Sequence, residues 1–173
     1  MNNNIAGELI AHLEEEAEAY QGLYRLLRKE RDALVQWSIG DLSDIVEKKE
    51  TQLEKIHQLE ERRTTFLDSI QAALEKAGLG SLDGKENLTL SDIIKAVKQE
   101  KRKQLITIQK ELTRLVRDVT TTNHTNQMLL KRSYELVNAN LNIYKQSEKL
   151  AQTYGANGEY RSMETSHLVD GSI

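Results

Sequence analysis

The sequence predicts an all-α protein, an antiparallel bundle of three long helices, and three observations predict it. Proline is absent from the 173 residues, where average usage would place roughly 8–9. Aromatic residues make up only 5% of the chain, and turn formers are scarce, which excludes a β-sandwich or a βαβ sheet. Apolar residues recur at heptad spacing through three long segments, the signature of amphipathic helices packed along seams.

The first segment runs from about 5 to 38. Ala6, Leu13, Tyr20, Leu27 and Leu34 form one register, and Leu9, Glu16, Leu23, Glu30 and Trp37 the other. Glu16 and Glu30 interrupt an otherwise apolar seam, as polar residues do when they set the register of a bundle. Ser38-Ile39-Gly40 closes this helix, and Asp41 is placed to cap the next, with Asp44 adding negative charge to its first turn. So short a connection makes the two helices antiparallel neighbours.

The second helix, about 42–77, carries Leu42, Ile45, Lys49, Gln52, Ile56, Leu59, Arg63, Phe66 and Ile70 along its seam and stops at Gly78, in the place of a C′ glycine. A connector follows over 78–89, in which Gly84-Lys85-Glu86 lacks the Ser/Thr and the preceding strand of a phosphate loop.

Thr89-Leu-Ser-Asp92 offers a capping pattern for a third helix over about 90–154. Its seam is apolar up to Val119. Beyond that one register turns polar or small (Asn126, Ser133, Asn140, Ser147), while Leu129, Leu136, Ile143 and Leu150 stay apolar beside Leu130, Val137, Leu141 and Tyr144. At 1.5 Å per residue the first two helices are about 50 Å long and the third roughly 100 Å, so either it breaks and folds back into a four-helix bundle or its far half has no companion in the chain. Thr120–Asn126 holds weak helix formers throughout and is the natural place for a kink or break, but no proline or glycine enforces one, so a continuous or kinked helix is expected. Residues 1–154 read as one helical domain. Residues 155–173 read as a mobile C-terminal tail that still carries Tyr160, Met163, Leu168, Val169 and Ile173.

Chemistry-bearing patterns are few. The absence of cysteine removes disulfides, thiolate metal sites and thiol nucleophiles. Glu54-Lys-Ile-His57 is a lone Glu-x-x-His, and a di-iron bundle needs that motif twice with two further inward carboxylates. The cluster from Lys95 to Lys103 lacks nearby aromatics for stacking on nucleic acid and is expected to face the acidic first two helices; residues 1–77 carry 16 acidic and 10 basic groups. The Asn87 and Asn123 sequons are coincidences in a chain that shows no secretory signal or membrane span, which together predict a cytoplasmic location. No catalytic residue, cofactor or metal is assigned, and no nucleic-acid partner. A bundle with an incompletely buried face is read instead as a binding protein, a monomer or weak dimer, whose partner supplies an amphipathic helix.

Three stretches also carry a family likeness: Lys49, Leu53, Ile56, Leu59-Glu60 and Arg63 in the second helix; Asn123-x-x-Asn126-x-x-Leu129-Leu130 in the third; and Tyr154-Gly155-Ala156-Asn157-Gly158 beyond it. In order and spacing they resemble the FlgN family of flagellar type III export chaperones. The resemblance implies a cytoplasmic chaperone that is not an enzyme. Its clients would be the terminal segments of the hook–filament junction proteins FlgK and FlgL, kept export-competent and delivered to the cytoplasmic domain of the export-gate protein FlhA. It also implies that Tyr154, with Gly155, serves that docking, and that clients bind the C-terminal part of the chain. The half-polar seam lies in the same part, so Asn123, Asn126, Leu129, Leu130, Val137, Leu141 and Tyr144 are expected to form the client-binding face. The other readings are a self-associating coiled-coil scaffold, a secretion chaperone for a different client and, more distantly, a di-iron enzyme.

Overall fold

A computed structural model of the chain describes residues 3–76 and 89–153, except the side chains of 3–4, 73–76, 96 and 148–153. Among these residues every element is an α-helix: α1 (Asn3–Gln36), α2 (Ile39–Lys76), α3 (Leu90–Ala96) and α4 (Gln99–Thr153). Residues 78–88 of the expected connector over 78–89, and the expected tail at 155–173, lie outside the described residues. The chain divides into two compact units, residues 1–127 and 128–173, and α4 spans the division.

The turn between α1 and α2 differs in detail from the expected one. Trp37 adopts a positive φ of 57°, and the Ser38 amide donates to the Ala33 carbonyl at 3.0 Å, the six-to-one bond of a Schellman stop with Trp37 in the position usually held by glycine. Ser38, not Asp41, then caps α2: its carbonyl accepts from the Leu42 amide at 3.2 Å and its hydroxyl donates to the Asp41 carboxylate at 2.5 Å. Ile39 and Gly40, read from sequence as part of the stop, belong to the first turn of α2.

Partners across α1 and α2 meet in opposite order along the two helices, Glu30 with Lys49, Gln52 with the Ala19 carbonyl, Tyr20 with Glu60 and Glu16 with Arg63, so this pair is antiparallel. Two apolar clusters hold unit one together. One gathers Ala6, Leu9, Ile10 and Leu13 of α1, Ile70 of α2, Ile93 and Ile94 of α3, Val97, and Leu105 and Ile108 of α4; the other gathers Ala19, Leu23, Leu27, Ile56 and Leu59, with Val119 against it. Leu9, Leu13, Leu27, Ile93 and Leu105 are essentially inaccessible, and full burial of each such side chain contributes about 1.5–3 kcal/mol.

The segment expected as one helix over 90–154 is two. Thr89 caps α3 through a capping box with Asp92, as its sequence pattern predicts. Val97 then turns extended (φ −92°, ψ 151°) and ends the helix while its side chain enters the first apolar cluster. The carbonyls left open at the end of α3 are taken by Arg102, whose Nε donates to Ile94 at 2.9 Å and whose Nη2 donates to Lys95 at 3.0 Å. Within the basic cluster, Arg102 therefore serves this break. By contrast, α4 is uninterrupted through 120–126. The Thr120 and Thr125 hydroxyls donate to the carbonyls four residues back, at 2.8 and 2.9 Å, so both side chains are satisfied within the helix.

Candidate functional site: an exposed apolar helix face

Three polar groups converge where α1, α2 and α4 meet in unit one. Glu30 accepts from Lys49 Nζ at 2.7 Å on one carboxylate oxygen and from Asn126 Nδ2 at 2.8 Å on the other, and the same Asn126 amide donates to the Leu27 carbonyl at 2.8 Å. Asn126 is only 3% exposed, and its Oδ1 has no hydrogen-bond partner among the described residues. Of the residues expected on the client face, Asn126 is thus turned inward and fastens α4 to α1, and Asn123 is half-buried in the same unit.

A second polar layer, with Glu16 buried and its neighbours half-buried, lies between the two apolar clusters. Glu16 sits 3.0 Å from Arg63 Nε, Tyr20 donates to Glu60 at 2.6 Å, and His12 Nε2 donates to the Leu59 carbonyl at 2.8 Å. Burial raises the pKa of Glu16 above its usual value; Arg63 and His12 offset part of that rise and Glu60 adds to it. Burial and the bond to Glu60 raise the Tyr20 hydroxyl as well, so it stays a donor. The polar interruptions of the α1 seam, Glu16 and Glu30, lie two heptads apart, and so do their partners Lys49 and Arg63 on α2. Matching those spacings in antiparallel order was the sequence signal that finds both pairs. His57, in contrast, is a surface residue beside Glu61 at 3.3 Å.

From Met128 onward α4 has a different character. Among residues 128–147 only Leu129, Ser133 and Asn138 are half-buried, and all others are exposed. Leu130 is 57% exposed and Tyr144 72%, with Tyr134, Leu136, Val137, Leu141 and Ile143 in the same class. Leu130, Tyr134, Val137, Leu141 and Tyr144 follow one another at steps of four, three, four and three, so they line a single stripe. Four of the expected client-face residues, Leu130, Val137, Leu141 and Tyr144, lie on it; Leu129 neighbours it, and Tyr134 is a member that sequence reasoning passed over. Tyr154 and Gly155 lie outside the described residues. No helix among the described residues is long and apolar enough to cross a membrane.

Such a fold and such a face define a class of protein: an α-helical chain with an exposed apolar helix surface. The chain belongs to the FlgN family, whose model, described as FlgN protein, matches residues 1–162, and it is accordingly a flagellar export chaperone. No curated protein and no solved structure matches it.

Proposed function

We propose that this chaperone works in the cytoplasm, captures the terminal segments of FlgK and FlgL on the second half of α4, and delivers them export-competent to FlhA. The observation that carries the reading is the exposed stripe Leu130–Tyr134–Val137–Leu141–Tyr144, which has the spacing an amphipathic client helix packs against. Residues 1–154 act in this reading as one helical domain with the long helices as an antiparallel bundle, and residues 155–173 act as a tail. Leu129 borders the client stripe, whereas Asn123 and Asn126 support it from within α4. Tyr154 and Gly155, placed just past α4, serve gate docking.

Titration of the full chain with a FlgK C-terminal peptide tests client capture. Val137→Glu with Leu141→Glu is expected to weaken binding at least about tenfold, about 1.4 kcal/mol, with helicity unchanged. Unchanged affinity overturns the assignment. For docking, Tyr154→Ala is expected to weaken binding to the FlhA cytoplasmic domain and to leave peptide affinity as it was; loss of both makes Tyr154 a structural residue. The same stripe also has the spacing of a coiled-coil seam, which favours self-association as the second reading. A tight, elongated oligomer in sedimentation would support that reading over the first.

A further inference from the structure

Polar groups border the exposed stripe of α4 on both edges. Within unit one, the buried Asn126 amide donates to the Glu30 carboxylate and to the Leu27 carbonyl of α1, each at 2.8 Å. Two heptads further along the same helix, Asn140 takes the register position of Asn126 and is exposed. It lies three residues after Val137 and four before Tyr144, so it borders one edge of the Leu130–Tyr144 stripe. The opposite edge is basic. Lys131 stands three residues before Tyr134 and Lys145 four after Leu141, which sets both cations beside that edge, while Arg132 and Glu135 fall on the far side of the helix. Both lysines are exposed, and no ion pair among the described residues engages either of them.

We propose, given client capture on this stripe, that the captured segment is an acidic amphipathic helix. Carboxylates on one of its flanks meet Lys131 and Lys145, and a carboxylate on the other accepts from the Asn140 amide as Glu30 accepts from Asn126. Two features argue for this partner. The first is continuity with the seam that α4 already shares with α1. There the accepted helix carries an apolar residue followed three places later by a glutamate, Leu27 and Glu30, and a partner that extends the seam past Asn126 reuses that pattern opposite Asn140. The second is charge. Residues 128–147 carry Lys131, Arg132 and Lys145 against Glu135, net +2, and the two that border the stripe are both cations. The whole chain is net −3, so the rim of the stripe has the opposite sign to the molecule that bears it. Exposed charge pairs of this kind sort partners more than they add affinity, and salt screens them.

Two versions of one designed amphipathic helical peptide test this, alike in their apolar seam and carrying glutamate or lysine at the flanking positions. Titrated into the full chain at low salt, the glutamate version is expected to bind about tenfold more tightly, although net charge alone favours the lysine version. Raising the salt to about 0.5 M is expected to remove most of that preference. Lys131→Glu with Lys145→Glu is expected to reverse the order, and Asn140→Ala to reduce the preference about threefold, with helicity by circular dichroism unchanged in both. Equal affinities for the two peptides overturn the proposal and leave capture on the stripe standing. A preference for glutamate that survives the double lysine variant also overturns it, because the charge being read then lies elsewhere. Binding of neither version overturns both this partner and capture on the stripe.

Discussion

Glu16 is held between two apolar clusters with Arg63 beside it, and burial outweighs that neighbour in setting its protonation. The folded chain therefore binds a proton at Glu16 at higher pH than the unfolded chain does. Its contribution to stability falls as pH rises through the raised pKa, and it is fully present below the usual 4.5. Chemical denaturation from neutral pH down to 4.5 is accordingly expected to show the wild type gaining on Glu16→Gln, which does not titrate. A constant difference across that range would mean the carboxylate is not desolvated. Arg63→Leu removes the neutralising partner and is expected to cost about 3 kcal/mol at neutral pH, the low end for breaking a buried pair because Arg63 is about a third exposed. The seam told from sequence that Glu16 and Glu30 break the apolar pattern. Their partners Lys49 and Arg63 carry the same two-heptad spacing on α2, but the register that brings them opposite is decided by the turn geometry.

At the scale of elements, the helices were legible wherever local rules decide them and illegible where tertiary contacts do. The heptad registers place α1, α2 and α4, and Thr89–Asp92 marks the start of α3. Nothing local marks its end, since Val97-Lys98-Gln99 contains neither glycine nor proline; the break exists because Val97 packs into the first cluster and Arg102 satisfies the freed carbonyls. The same logic placed the α1 stop at Ser38-Ile39-Gly40, whereas Trp37 takes the left-handed position that ends the helix. A test follows from the glycines. A Cβ at Gly40 meets open space inside α2, so Gly40→Ala is expected to stabilise the protein by about 0.5–1 kcal/mol. At Gly22 a Cβ would sit 2.9 Å from Gln52 Nε2 and dislodge its bond to the Ala19 carbonyl, offsetting the helical gain, so Gly22→Ala is expected to be close to neutral. Thermal melts of the two variants check the ordering; equal gains would mean the Gln52 bond adds nothing.

For the molecule as a whole, one long helix has two parts of different character. Up to Gln127, α4 supplies Leu105, Ile108, Leu115 and Asn126 to a core it shares with α1. From Met128 it presents apolar side chains to solvent, and these form the face proposed for client capture. The sequence made this division visible through the change in seam character near Val119, yet assigned Asn126 to the outer part. A polar residue on an apolar seam reads alike whether it lines a groove or fastens a helix, and only the Leu27 carbonyl and Glu30 carboxylate beside it tell the two apart. The central claim, that clients are captured on residues 128–147, is tested most directly by amide hydrogen exchange of the full chain with and without a FlgK C-terminal peptide. Free α4 is expected to exchange faster over 128–147 than over 99–127, because the former lacks buried packing. Bound peptide is expected to slow exchange over 128–147 and leave α1 and α2 as they were. Peptide binding that protects the α1–α2 pair while exchange over 128–147 stays fast would contradict the account.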